Sequence, residues 1–192
     1  METAVEDLDA RLAARLHELR ASRGLSLDAL AERAGVSRSM ISLIERGQSS
    51  PTAATLHRLA AGLGVTMHEL FAQPTQREAA PLARRADQTV WRDPDSGYTR
   101  RQLSPAGYPS PLRMIEVVLP AGARVAYDNL AVTPAPLKQQ LWLIEGALEV
   151  AWGRRSVSLA KGDCLAMDAP ATAFHNPHDK PARYLIAATS AA

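Results

Sequence analysis

Apolar residues recur every three or four positions in the first part of the chain, which is the spacing that places one face of an α-helix against a core. The first run ends near Gly24 and consists of Leu8, Leu12, Leu16 and Leu19. Ser50 before Pro51 is the expected N-cap of a later helix. A capping box from Thr66 to Glu69 opens a last turn, so the pattern predicts five helices before residue 72.

The segment from Ser26 to Gly47 predicts two of these helices, joined by a tight turn. Ser26 and Ser37 are N-cap residue types, and Gly35 can adopt the left-handed conformation that ends a helix. The apolar residues expected to face the core from the second helix are Met40, Ile41 and Ile44. Two helices joined in this way form a helix-turn-helix unit, whose second helix lies in the major groove of DNA.

From Val90 onward, the pattern changes to short β-type runs separated by clusters of Gly, Pro and Asp. The runs are TVW, YTRRQL, LRMIEVVL, QLWLI, LEVAW, SVSL, CLAM, AFHN and ARYLIAA. Such a series predicts about eight to ten antiparallel strands in a sandwich or barrel. Residues 73–88, rich in Pro, Ala and charge, are predicted to be a linker. The expected domains are therefore 1–72 and 89–192.

Length and composition agree with two small globular domains, since the chain has 192 residues. Cys164 is the only cysteine, which excludes an intrachain disulfide and cysteine-rich zinc sites. We expect Cys164 to be buried as a small apolar residue. No stretch reaches the length of a membrane span and no apolar leader opens the chain, so we expect a cytoplasmic protein without a membrane partner.

The charge of the helical part is not that of a generally basic DNA-binding domain. The whole chain has a formal net charge of +2, whereas residues 1–75 contain eight Arg and nine Asp or Glu and carry a net −1. A DNA-binding domain is usually basic as a whole. Any positive patch on this one must therefore be local, and Arg38 and Arg46 are its expected source.

Residues 16–71 closely resemble the Cro/cI-type (XRE) helix-turn-helix family. The resemblance rests on GVSRSMISLIERG, followed by SPT and then by LAAGLGV. It implies a recognition helix at about residues 37–46, whose base-reading positions are Arg38, Ser39, Ser42 and Leu43. The expected phosphate contacts are Arg46, Gln48, Ser49 and Thr52. Arg38 suits this role because its guanidinium fork matches the edge of guanine.

Two residues depart from the pattern of that family. Leu43 stands where members often carry a long polar side chain, and Leu27 stands where many have a glutamine that holds a phosphate. A leucine at position 43 either touches a thymine methyl or is a poorly covered apolar residue. Both departures increase the share of specificity expected of Arg38.

The second half resembles a cupin, which implies a small double-stranded β-helix, or jelly-roll barrel. The resemblance rests on QQLWLIEGALEVAWGRRSVSLAKGDCLAMDAPATAFHNP. Its fixed points are Gly146, Gly162-Asp163 and Asn176-Pro177. The fold class implied by both resemblances is a multidomain α plus β protein, with a five-helix head and a cupin barrel.

The residues by which many cupins bind a metal are missing at the matching positions. Family members use two histidines, a glutamate and a third histidine, ligands that suit iron, manganese, nickel or zinc. Gln139 stands at the glutamate position, no histidine lies near residues 132–135, and Thr172 stands at the third histidine position. His175 is displaced from that position by an odd number of residues, which sends it to the other face of a strand. We therefore expect no metal and no cofactor.

A barrel without a metal still has an interior that is either filled or open to a small ligand. By alternation, the residues expected to line it are Gln139, Leu141, Leu143, Thr172 and Phe174. Two uncharged hydrogen-bonding groups in an apolar lining suit a small-ligand site. Alternatively, Gln139 and Thr172 bond each other or the backbone in a filled core. The residues that could close the mouth or pack outside are Tyr98, Arg100, Arg113 and Trp142.

These features predict a sequence-specific transcriptional regulator rather than an enzyme. Its expected partners are double-stranded DNA with a palindromic operator, a small effector of unknown identity, and a second copy of the chain, since a palindrome is read by two recognition helices. Two alternatives remain open at this stage. One is a metal-dependent cupin enzyme tethered to DNA, and the other is a regulator or antitoxin controlled by a protein partner.

Overall fold

The computed structural model describes residues 2–71, 80–127, 138–167 and 171–189. The helices form one unit, and the strands from Val90 onward form another. The helices are α1 (Glu2–Ser22), α2 (Leu27–Ala34), α3 (Arg38–Glu45) and α4 (Ala53–Leu63), followed by a single helical turn at Met67–Leu70. Four of the five predicted helices are thus full helices, and the fifth is reduced to one turn. No helix within the described ranges has the length and apolar content needed to cross a membrane.

Local capping explains where the helices begin. The Ser26 hydroxyl accepts a hydrogen bond from Ala29 N at 3.1 Å, and the Ser37 hydroxyl accepts one from Met40 N at 3.3 Å, as predicted. The expected cap at Ser50 is wrong, because α4 begins after Thr52. The Ser50 hydroxyl instead donates to the Asp9 carboxylate on α1, which leaves Thr52 to cap α4.

The helical unit buries one stripe of each helix. Its fully buried side chains are Leu16, Leu30, Ile41, Ile44, Leu56, Leu59 and Leu70. Met40 does not join them and is 39% exposed, so its predicted core position is wrong. Ile41 and Ile44 define the buried stripe of α3, and Met40 lies about 100° around the helix from Ile41. Gly62 lets α4 approach α2 closely, because a Cβ there would lie 2.9 Å from the Ala34 Cβ.

In the described residues from Val90 onward, ten strands form two sheets in which every pairing is antiparallel. The six-stranded sheet has the order β1-β2-β3-β10-β5-β8, and the four-stranded sheet has the order β4-β9-β6-β7. The strands are β1 (Val90–Arg92), β2 (Thr99–Gln102), β3 (Leu112–Leu119), β4 (Arg124–Ala126), β5 (Lys138–Glu145), β6 (Ala147–Trp152), β7 (Arg155–Ala160), β8 (Cys164–Met167), β9 (Ala171–His175) and β10 (Ala182–Thr189). All except β4, which has only three residues, coincide with runs expected from the sequence.

The inner faces of the two sheets pack against each other through aromatic rings. Phe174 on the four-stranded sheet stacks on Tyr184 of the six-stranded sheet, with ring centroids 5.7 Å apart. Among the described strands, no hydrogen-bonded pair joins one sheet to the other, so these strands do not form the closed barrel expected from the sequence. The described part of the β-rich domain is therefore a pair of facing antiparallel sheets.

Two fixed points of the cupin-like sequence are explained by packing. Asn176 is fully buried, and its Nδ2 donates to the carbonyls of Leu119, Pro120 and Lys180 at 3.2, 3.0 and 2.8 Å. It thereby ties the end of β3 to the loop before β10. Gly146 has a φ of 81°, and a Cβ there would lie only 2.7 Å from the Pro181 carbonyl oxygen.

Candidate functional sites

Helix α3 presents a polar stripe on the side opposite its buried residues. Ile41 and Ile44 are each 1% exposed and anchor the helix to the core. The predicted base-reading residues are Arg38 and Ser39, both exposed, and Ser42 and Leu43, both half-buried. Helical spacing of three and four residues places Ser39, Ser42 and the exposed Arg46 on one side of α3. Together they form one surface of the size that enters a groove of DNA.

Arg38 already has a partner within the helix-turn-helix. Its Nε lies 3.3 Å from the Asp28 carboxylate of α2, and the two side chains are 65% and 76% exposed. Exposed pairs of this kind contribute little to stability and are screened by salt. The guanidinium is therefore held near the start of α3 but can exchange Asp28 for another acceptor at low cost.

The four predicted phosphate contacts lie at or after the end of α3. Arg46 Nε donates to Gln48 Oε1 at 3.1 Å, and the Ser49 hydroxyl lies 3.9 Å from the Met40 sulfur. The Thr52 hydroxyl accepts a hydrogen bond from Thr55 N at 3.2 Å as the cap of α4. Arg46 and Gln48 thus contact each other and Ser49 lies against Met40, whereas Thr52 also caps α4.

A buried ion pair, which the sequence did not reveal, fixes α3 against α1. Arg20 Nε and Nη2 donate to the two carboxylate oxygens of Glu45, both at 2.7 Å. The two side chains are only 14% and 7% exposed. Arg20 Nη1 also donates to the Leu25 carbonyl at 2.9 Å, and His17 Nδ1 lies 3.0 Å from Glu45. The last residue of α3 is therefore held by three contacts, two from Arg20 and one from His17.

In this pair, each charged group stabilises the charged form of the other. Burial alone would raise the pKa of the Glu45 carboxyl, but hydrogen bonds from Arg20 and His17, together with their charges, outweigh it and hold that pKa below its ordinary value. In the same way, the hydrogen bond to Glu45 raises the pKa of Arg20 against the opposing effect of burial. Both groups are therefore charged at neutral pH.

In the β-rich domain, four of the five predicted lining side chains are described, and all four are buried. Leu141 and Leu143 are fully buried, and Phe174 and Gln139 are 6% and 9% exposed. Strand register places Leu143 beside Tyr184, and Gln139 beside Met167, on the inner face of the six-stranded sheet. The side chain of Thr172 lies outside the described residues, although its backbone belongs to β9.

The residues expected to close the mouth or pack outside divide between the two faces. Tyr98 is buried in the interior, where its ring meets Trp91 edge-on at 5.9 Å. Arg100 and Arg113 lie in β2 and β3 and are half-buried. Trp142 packs on the outer face and is 48% exposed, since its neighbours in β5, Leu141 and Leu143, take the inner positions.

Cys164 and His175 both lie on outer faces. Cys164 is exposed beside Trp142, so its predicted burial is wrong; the inner positions of β8 belong to Leu165 and Met167. His175 lies beside Arg124 in register, and its Nδ1 is 2.9 Å from Glu149. Within the described part of the chain, no three His, Cys, Asp or Glu side chains form a group that could hold a metal ion.

Comparison with known proteins gives independent matches to the helical unit. The model of the HTH_3 helix-turn-helix family matches residues 16–70. The transcriptional regulator SutR of Escherichia coli K12 is 46% identical over 70 residues, which are 36% of this chain and 39% of SutR. The transcriptional regulator DdrOP3 of Deinococcus deserti is 43% identical over 61 residues, which are 32% of this chain and 47% of DdrOP3. The chain thus spans less than half the length of these relatives.

One solved structure resembles the chain from end to end. A transcriptional regulator of the HTH_3 family from Vibrio cholerae matches with a TM-score of 0.75 and 25% identity. The match covers 97% of this chain and 99% of the other. The combination of a helical domain with a β-sheet domain is therefore shared with a regulator of that family.

We expect the variant E45Q to lower the free energy of unfolding of the helical domain by about 1–3 kcal/mol at neutral pH, since Arg20 loses a charged acceptor at a buried position. The depressed pKa of Glu45 means that its contribution is complete above the ordinary value of 4.5 and disappears as the pH falls through the lower, folded-state pKa. As the pH is lowered through that acid range, the unfolding free energy of E45Q should therefore fall less than that of the parent. Urea unfolding followed by helical circular dichroism at a series of pH values measures both effects.

The matched control is E18Q, which removes an exposed carboxylate that lies 2.8 Å from Arg15 on α1. Its unfolding free energy should stay within about 0.5 kcal/mol of the parent. Equal effects of E45Q and E18Q would contradict the special role of the buried pair.

Proposed function

We propose that this chain, whose residues 16–70 are a helix-turn-helix domain of the HTH_3 family, is a sequence-specific DNA-binding transcriptional regulator. The observation that carries the proposal is the exposed polar stripe of α3 on a helix whose last residue is clamped to α1 by Arg20 and Glu45. A rigidly placed helix with short polar side chains at its exposed N-terminal end suits the major groove. The regulators named above support the same function.

Within this surface, Arg38 reads guanine through its two guanidinium donors, and the small Ser39 and Ser42 allow the helix to approach the base edges. Leu43 touches a thymine methyl. The phosphate-binding group consists of Arg46, Gln48, Ser49 and Thr52. Because Asp28 holds Arg38 only through an exposed contact, DNA can replace it at the guanidinium.

We expect R38A to weaken operator binding by about 1–3 kcal/mol and to relax the preference at one base position per half-site. R46A should instead weaken operator and random DNA by similar factors and reduce the salt dependence, because it removes a phosphate contact. Fluorescence anisotropy with operator and scrambled duplexes at several salt concentrations separates the two effects. Unchanged discrimination by R38A would contradict its base-reading role.

For the β-rich domain, we propose a pair of facing sheets that binds a small effector in its interior and has no enzymatic activity. The support comes from Gln139 at the position where metal-binding cupins have a glutamate, and from the buried side chains of Leu141, Leu143 and Phe174 around it. An effector changes DNA binding only if its affinity differs between the DNA-competent and DNA-incompetent states. The proposed lining also includes Thr172.

The proposed regulator is a homodimer, since a palindromic operator presents two half-sites to two recognition helices. We place the contact on the outer face of the six-stranded sheet, around Trp142. Strand register sets Leu185 and Cys164 on either side of Trp142, which gives a short apolar row that runs to the β8 edge of this face. Trp142 is the largest of these side chains and is 48% exposed. Central aromatic residues of this kind carry much of the binding energy of interfaces.

We expect W142E to weaken self-association by about 2 kcal/mol or more, because it places a charge in the centre of the contact. Y108E introduces the same charge at another exposed aromatic residue, outside the strands, and should leave association unchanged. Sedimentation velocity over a range of protein concentrations measures both variants. A W142E protein that associates as strongly as the parent would exclude this face as the dimer contact.

A further inference from the structure

The inner face of the six-stranded sheet carries an arginine on β2, the second strand from one edge. In the six-stranded sheet, Arg100 of β2 is paired with Trp91 on one side and with Val117 on the other. Trp91 and Val117 are 2% and 1% exposed, so Arg100 lies on the same inner face as these two core residues. A charged side chain is costly in such a place unless polar groups surround it. Arg100 nevertheless keeps part of its surface exposed.

Three tyrosines belong to the same interior, because their rings contact Trp91 or Phe174. Tyr98 and Tyr184 are 4% and 1% exposed, and the hydroxyls of Tyr98 and Tyr127 are hydrogen-bonded. Burial raises the pKa of Tyr127 and of Tyr184 far above the ordinary value, and the charge of Arg100 acts on both phenols in the opposite direction. The phenols of Tyr127 and Tyr184 are therefore protonated at neutral pH, and a protonated phenol can donate one hydrogen bond.

The charged residues of the six-stranded sheet divide between its faces in a way that leaves the inner face positive. Glu116 lies on the outer face, where Arg183 Nε donates to it at 2.7 Å, and Glu145 lies beside Arg183. None of the carboxylates in these six strands turns inward, and all their residues are described. Asp93, in the turn after β1, is the opposing charge near the cluster; it accepts hydrogen bonds from the Ser96 N–H, at 2.9 Å, and hydroxyl.

The second sheet contributes another donor to the same interior. Trp152 alternates with Val150 along β6, and Val150 is paired with Phe174, the ring that stacks on Tyr184. Trp152 is 8% exposed, and its indole N–H has no hydrogen-bond partner among the described residues. A buried donor of this kind favours a ligand that supplies acceptors.

We propose that the effector of the β-rich domain is a small organic carboxylate with an apolar body, whose carboxylate is bound by Arg100 and by one hydroxyl of the hydrogen-bonded Tyr98–Tyr127 pair. The proposal rests on the effector-binding role given above and names the class of that effector. A guanidinium binds a carboxylate in two parallel hydrogen bonds, and neutral phenols can donate to the remaining lone pairs. The apolar body of the ligand would contact Leu141, Leu143 and Phe174, which lie on the facing walls of the interior.

The test measures binding of butyrate and benzoate to the full chain, with butyramide and benzamide as neutral analogues of the same shape. Isothermal titration and thermal shift are both applicable, and Trp91 beside Tyr98 adds a fluorescence signal. We expect at least one carboxylate to bind saturably and its amide not to bind. R100Q should weaken that binding by about tenfold or more, and Y127F by a smaller factor, since charged hydrogen bonds contribute most.

The matched control is R92Q, which removes an arginine from the outer face of the same β1–β2 hairpin and should bind the carboxylate as the parent does. Y127F is a second test that is expected to fold normally, because it removes a single hydroxyl and keeps the ring whose centroid lies 6.3 Å from that of Phe174. If R100Q is folded and binds the carboxylate unchanged, Arg100 is a structural partner in the interior and the proposal is overturned. Binding of the amides as tightly as the carboxylates, binding of inorganic phosphate instead, or no saturable carboxylate binding also overturns it.

Failure of this proposal can be distinguished from failure of the proposed function. Operator binding by the same preparations is measured in parallel. A parent protein that selects an operator but binds no carboxylate remains a regulator with another effector. A protein that binds the carboxylate but discriminates no DNA sequence would instead refute the regulator and leave the ligand site standing.

Discussion

The orientation of α3 depends on the buried pair between Arg20 and Glu45. Helix α3 has only eight residues, and a helix of that length is not stable by itself in water. Ile41 and Ile44 bury one side of it, but apolar contacts alone allow sliding and rotation. Two hydrogen bonds of 2.7 Å to the last residue of the helix fix its direction against α1. Base recognition by the proposed surface requires this precision, because hydrogen bonds to base edges tolerate little displacement.

In the β-rich domain, strand alternation separates the two proposed roles of one sheet. The row from Arg100 through Val117 and Tyr184 to Leu143 faces the interior, and the adjacent row from Arg101 through Glu116 and Leu185 to Trp142 faces outward. The same strands therefore serve the proposed effector site and the proposed dimer contact. An effector that shifts these strands can alter the contact between subunits, and so the spacing of two recognition helices, which is the coupling between sites that a regulator needs.

Features that depend on neighbouring residues were predictable from the sequence, whereas features that depend on distant ones were not. The caps at Ser26 and Ser37 and nearly all strands follow from local chemistry. The pairing of Arg20 with Glu45 joins positions 25 residues apart and has no local signal. Cys164 was expected to be buried from its residue type alone, whereas its side is set by the pairing of β8 with β5, in which the larger Leu165 and Met167 take the inner positions. For the same reason, YTRRQL did not reveal which of Arg100 and Arg101 points inward.

Selection of binding sites from random duplex DNA by the purified full chain tests the central claim most directly. The account predicts an enriched palindrome whose two half-sites are centred about one helical turn apart, with a guanine at a fixed position in each half. Recovery of DNA with no enriched sequence, at salt concentrations where the protein still binds, would contradict it. In that case the polar stripe of α3 would not make sequence-specific contacts with bases.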